Sequence, residues 1–130
     1  MQEIFLLLVA LQIKHFVADY LLQNNWMISG KQSLLALGGY AHAGVHVIGT
    51  WIILVFFAVP LSFAISIVIA EFFIHYALDY AKVRLDRVTS GEKNQRVFWA
   101  KHGLDQLLHH LTYVGIAYLA FQFLPLILGS

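Results

Sequence analysis

Leu61–Ala81 reads LSFAISIVIAEFFIHYALDYA, and this stretch decides the fold. It is long enough to cross the ~30 Å hydrocarbon layer as a helix rising about 1.5 Å per residue. Within it Glu71, His75 and Asp79 recur at i, i+4 and i+8. At about 100° per residue these positions share one face. Insertion of a charged side chain at the bilayer centre costs about 2.5–3.5 kcal/mol, so such a stripe turns toward protein and marks function. A lone helix cannot satisfy it. The stretch therefore predicts a membrane helix with an inward polar face and neighbours carrying polar faces of their own.

Those neighbours are present. Apolar segments at about 4–22, 34–59, 61–81 and 97–128 are each near or above spanning length, and none shows the strict alternation of a membrane strand. Hydrophilic connections fall at about 23–33 and 82–96, while Val59-Pro60-Leu61 makes a tight turn with Pro60 suited to the first helical position. The expected fold is all-α: a polytopic membrane protein, one domain over residues 1–130, built as a four-helix transmembrane bundle. Composition agrees. The 130 residues are 60% hydrophobic and 12% charged, against about 25% charged for ordinary soluble domains, so a soluble enzyme, a disordered segment and a nucleic-acid binder are all excluded. There is no cysteine, hence no disulfide and no thiolate metal site.

The first segment lacks a basic n-region and a small-residue cleavage site, and carries His15 and Asp19, so it reads as a retained helix. Lys82, Arg84, Arg87, Lys93, Arg96 and Lys101 cluster in or beside the second hydrophilic connection, and Lys31 lies in the first. By the positive-inside rule both connections are cytoplasmic and both termini external. Lys14 falls about 100° off the polar stripe of its segment and is expected to snorkel to the cytoplasmic headgroups.

Every segment repeats the i, i+4 pattern. The first has His15 and Asp19, the second His42 and His46, the third Glu71, His75 and Asp79, and the fourth Asp105 and His109 with His102 a turn earlier. Tyr113 and Gln106 share the fourth stripe, whereas His110 falls off it. His15, His42 and His75 each lie roughly 12 Å from the cytoplasmic end of their segment, at 1.5 Å per residue, and Asp105 and His109 bracket that level. Antiparallel neighbours had no need to agree in depth. Imidazole and carboxylate together are ligands for Zn²⁺, Fe²⁺ or Mn²⁺, and bundles build such sites from i, i+3 or i, i+4 pairs. The expected ligands are His15, Asp19, His42, His46, His75, Asp79, Asp105 and His109, around zinc first, with iron or manganese as alternatives and one or two ions. Interhelical hydrogen-bond glue returns only about 0.6 kcal/mol per contact, a poor match for inserted carboxylates. Gly38, Gly39, Gly44 and Gly49 read as sites of close helix approach.

KHFVADYLLQNNWM with Lys31, then HAGVH, EFFIHYALDYAK and KHGLDQLLHHL, resemble a family of small bacterial and phage-encoded membrane proteins catalogued only as a domain of unknown function. The resemblance covers nearly the whole chain and implies a cell inner-membrane location, without an activity. More distantly, the polar stripes resemble those of membrane-bound metal-dependent hydrolases. The expected function is a metal-dependent hydrolase acting on a lipid or lipid-linked substrate near the cytoplasmic leaflet, with Asp19, Asp79 or Glu71 as general base. The alternative is binding or transport of a divalent metal or protons by the same cluster. Expected partners are membrane lipids and, as a possibility to be tested, a second copy of the chain; nucleic acid is excluded.

Overall fold

The computed structural model describes residues 2–88 and 94–122, and over them the chain is helical throughout. The Ser90-Gly91 turn signal and the end of the fourth apolar segment lie outside the described residues. Helix α1, Gln2–Phe16, passes directly into a π-helical turn at Val17–Leu22. A short helix α2, Asn25–Gly30, follows, then the long helices α3 (Leu37–Phe56), α4 (Leu61–Val88) and α5 (Gln95–Phe121). Helix α1 packs on α3, α3 on α4, α4 on α5 and α5 back on α1, closing a ring of four.

Polarity in this ring is inverted. Phe5, Ile52, Phe73 and Tyr118 are each more than 60% exposed, while His42, His46, His75, His109 and Glu71 are buried. Water would reject such a surface; hydrocarbon accepts it, provided that backbone polar groups are satisfied within helices. Gln2–Leu22, Leu37–Phe56 and Leu61–Val88 are each long and apolar enough to cross a membrane, which marks the chain as a membrane protein. Helix α5 is as long but is not among these three, because His102, Asp105, Gln106, His109 and His110 crowd its first sixteen residues. One half of the ring is closed by an apolar core that includes Leu7, Leu11, Leu54, Ile67, Val68, Ile116 and Ala120. The polar residues fill the other half.

Local signals explain the joints. Helix α3 ends in a Schellman motif: Val59 N–H donates to Leu54 O and Ala58 N–H to Val55 O, both at 3.0 Å. Ala58 takes the left-handed conformation (φ 53°) that such a motif requires and that glycine usually fills. The Pro60 carbonyl then accepts from Ala64 N–H at 2.9 Å, which puts Pro60 one place before helical Leu61.

Three parts of the chain differ from the sequence expectation. The first connection is not a simple polar turn: Asn24 Oδ1 accepts from Met27 N–H and starts α2. Helix α2 lies against the start of α3 because Gly30, Gly38 and Gly39 have no side chains. A Cβ on Gly30 would stand 2.5 Å from Gly39 N, and one on Gly38 would collide with the Trp26 carbonyl. Gly44, by contrast, faces open space. Helix α4 runs past Ala81 to Val88, because Lys82 and Asp86 pair at i, i+4 and Arg84 bonds the Tyr80 hydroxyl at the same spacing. A drop in hydropathy there ends the apolar layer, not the helix.

Candidate metal centre

All four long helices deliver side chains to one buried polar cluster. From the α1 end, Asp19 sits in the π turn, whose extra residue per turn shifts the face that follows it; such turns are frequent at functional sites. Gln23 Nε2 donates to the Asp19 carbonyl at 3.0 Å and ties down the end of that turn. The Asp19 carboxylate is central. Its Oδ1 lies 2.9 Å from His46 Nε2 and 3.1 Å from His42 Nε2, and its Oδ2 lies 3.4 Å from His15 Nε2. Asp79 plays the matching part on α4. Its Oδ2 is 3.4 Å from His75 Nε2 and 3.6 Å from His42 Nε2, and its Oδ1 is 3.9 Å from His109 Nε2. The His46 and His75 rings lie with centroids 3.8 Å apart.

Two groups can therefore hold a cation. Asp19, His42, His46 and His75 form one, and His75, Asp79 and His109 the other, each with ligand atoms within 4.8 Å of one another. Tetrahedral zinc with ligands at 2.0–2.2 Å holds those atoms about 3.4 Å apart, so small inward movements complete either group. Among the described residues, His75 Nε2 and His109 Nε2 are buried without a hydrogen bond, with Asp79 oxygens the nearest acceptors at 3.4 and 3.9 Å. Each such group costs about 1–3 kcal/mol if left unsatisfied. With the His42 and His46 rings and the Asp19 and Asp79 carboxylates around them, these two fit a divalent ion with nitrogen and oxygen ligands.

Three expected site residues lie outside both groups. His15 is held by other protein atoms: its Nε2 is 3.0 Å from Gln106 Oε1 and its Nδ1 is 3.2 Å from the Tyr113 hydroxyl. That hydroxyl is also 3.0 Å from His46 Nδ1. One proton assignment serves Gln106, His15, Tyr113 and His46 together, with Lys14 Nζ donating to Glu71 instead: His15 Nε2–H donates to Gln106, Tyr113 donates to His15 Nδ1, and His46 Nδ1–H donates to Tyr113. The Nε2 lone pair of His46 is then directed at the cluster, the task usually given to residues behind a metal ligand. Asp105 accepts from Gln106 Nε2 at 3.2 Å, while its other oxygen is buried without a hydrogen bond. Glu71 is bound to Lys14, Oε1 to Nζ at 2.8 Å. His110 meets the His15 ring edge-on at 5.0 Å and belongs to neither group.

Lys14 does not snorkel. Its side chain is 8% exposed and turns inward, with Nζ 3.4 Å from His46 Nδ1 and 4.2 Å from the centroid of the Tyr113 ring. Gly49 explains the path, since a Cβ there would lie 2.5 Å from Lys14 Cγ. Lys31, expected only as a loop charge, reaches Asp79 Oδ2 at 2.9 Å. Its position follows from the seating of α2 on α3, which no local sequence signal announces.

A cavity of about 230 Å³ lies over this cluster at the polar end of the ring. Asp19 and Asp79 line it together with Asp105, Lys31, Lys82 and His102, so both carboxylates face imidazoles on one side and open space on the other. Comparison with curated proteins and with solved structures returned no match. The family described as "Protein of unknown function (DUF3307)" matches residues 7–127, and the chain belongs to that family.

Proposed function

We propose that this protein is a divalent-metal centre embedded in the cell inner membrane, working as a hydrolase on a lipid or lipid-linked substrate at the cytoplasmic leaflet. In this reading α5 is the fourth span, the polar end of the bundle is cytoplasmic and both termini are external. The observation that carries it is the double duty of Asp19 and Asp79, which approach the buried imidazoles and also line the 230 Å³ cavity. A catalytic ion needs protein ligands behind it and an open position in front. Structural sites have no use for the second.

A bound divalent ion supplies Lewis acidity toward a carbonyl or phosphoryl oxygen and acidifies water enough to yield hydroxide at neutral pH. His42, His46, His75 and His109 with Asp19 and Asp79 hold it, zinc being the first choice for that donor set. Tyr113 and Gln106 fix the ring orientations. The Lys14–Glu71 pair keeps Glu71 away from the cavity, which leaves proton handling to the cavity carboxylates. Of these, Asp105 keeps a buried oxygen without a hydrogen bond and is not in either ligand group. We assign it the general base, with Asp19 and Asp79 as ligands.

Transport through the bundle is the weaker reading. Beyond Glu71 and Thr50 the described core is apolar, from Leu7 and Leu11 to Ile116 and Ala120, and offers no polar path to the far side. Elemental analysis of protein purified without chelators should find one or two divalent ions per chain. Asp105→Asn should keep that metal while turnover in a panel of phospholipids, isoprenoid phosphates and lipidated peptides falls about 10²–10⁴-fold, the usual range for general acid–base catalysis. Protein that is metal-free and takes up none overturns the reading.

A further inference from the structure

Next to the cavity lies an apolar groove between α4 and α5. The groove, of about 120 Å³, is walled by Leu78 and Leu85 on one helix and Leu104 and Leu108 on the other. Lys82 and Asp105 line both spaces. Leu78 to Leu85 and Lys101 to Leu108 each cover seven residue steps, so the groove is about 10 Å long at 1.5 Å per residue. The groove straddles the end of the apolar layer at Ala81, with Lys82 and Lys101 along it, so lipid headgroups and the chain segments next to them are what meet it. A polar chamber beside an apolar slot, with Lys82 and Asp105 on the border of both, fits an amphiphile, with its head in the first and its chain in the second.

Charge identifies the head. The cavity wall carries three carboxylates, Asp19, Asp79 and Asp105, against the ammonium groups of Lys31 and Lys82. One divalent ion reverses the sign of that balance. It also competes for Asp79, the partner of Lys31, whose side chain is only 12% exposed. With Asp79 engaged by a cation, Lys31 requires another anion. Lys82 and Lys101, which line the groove, stand 3.8 and 4.0 Å from Asp86. Ammonium groups beside a divalent ion are a phosphate-binding set, and lysines near the membrane surface attract anionic headgroups by about 1 kcal/mol each.

We propose that the substrate is a phosphate-bearing membrane lipid that reaches the site sideways from the bilayer, its chain lying between α4 and α5 and its phosphate beside Lys31 and Lys82 over Asp19 and Asp79. This rests on the hydrolase reading and supplies its substrate class. Neutral lipids lack the group that Lys31 and Lys82 recognise, and free phosphate lacks the part that fills the groove.

Three probes separate these parts: dihexanoyl phosphatidate, inorganic phosphate and dihexanoyl glycerol, each titrated against metal-loaded protein in a neutral glycosidic detergent. Phosphatidate should bind at least about tenfold more tightly than either fragment. Leu104→Trp and Leu85→Trp, which fill the groove from opposite walls, should each weaken phosphatidate about tenfold and leave phosphate unchanged. Lys82→Gln should weaken both phosphate-bearing probes. Elemental analysis of the same samples verifies that each tryptophan variant keeps its metal; if one loses it, the other variant and the wild-type comparison of the three probes decide. Equal affinity for phosphate and phosphatidate, or for glycerolipid and phosphatidate, overturns the inference while leaving the metal centre standing. Absence of metal from the wild type overturns both.

Discussion

Replacing Lys14 by Met tests the inward turn of α1's only lysine. The Lys14–Glu71 contact is 2.8 Å between side chains 8% and 1% exposed, so it is a buried pair. Removing one partner of such a pair leaves an uncompensated charge in a low-dielectric interior and costs about 3–5 kcal/mol. A snorkelling lysine in an exposed pair would contribute about 0–1 kcal/mol. The two expectations do not overlap. Unfolding free energies from denaturing-detergent titration in micelles distinguish them, and Lys14→Met/Glu71→Gln completes the cycle. The double variant should regain most of the loss, so that the coupling energy exceeds the loss of either single variant. Gly49→Ala should give a related but smaller loss of about 1–3 kcal/mol, because its Cβ would lie 2.5 Å from Lys14 Cγ and 2.9 Å from Lys14 Cδ while Nζ is pinned at Glu71. A Lys14→Met protein within 1 kcal/mol of wild type, or a double variant no better than the single one, would refute the buried pair.

His75→Ala should strip metal more completely than any other single histidine change, because His75 belongs to both ligand groups; His110→Ala should leave metal content unaltered, as elemental analysis can establish. Ala58→Gly should stabilise the fold by about 1 kcal/mol in the same detergent titration, since a left-handed L-residue costs about 1–2 kcal/mol and glycine avoids that cost. A destabilised Ala58→Gly would count against the Schellman geometry of the α3–α4 joint.

Much of the site could be read from spacing. The i, i+4 stripes and their common depth point to Asp19, His42, His46, His75, Asp79 and His109, and the structure draws these six into the two ligand groups. The same signal also selected His15, Glu71 and Asp105, which the structure surrounds with Tyr113, Lys14 and Gln106 respectively. Periodicity reports which face of a helix a residue occupies, and it is silent on the partner waiting there. Lys14 shows the limit. Its angular offset from the stripe is correct for an α-helix, yet a lysine has a long stem, and a glycine on α3 decides where that stem goes. The π turn is hidden for a related reason: VADYLL has no residue that demands it, and tertiary contacts of Asp19 select it over a regular turn. The segment 97–128 reads as a fourth span, but the described part of α5 carries its polar residues too densely to be counted with the other three helices.

The inside-out distribution of polarity has a consequence for how the protein is made. An insertion channel releases a helix to lipid according to the hydrophobicity of that helix alone, and α4 offers it Glu71, His75 and Asp79 on one face. Glu71 finds its countercharge on α1, and Asp79 finds imidazoles on α3 and α5. The apolar residues around that face nevertheless make α4 hydrophobic enough to cross a membrane by itself, acids included. Once there, α4 holds its acids at full cost until α1 and α3 pack against it, so tertiary assembly has the most to gain from following integration closely.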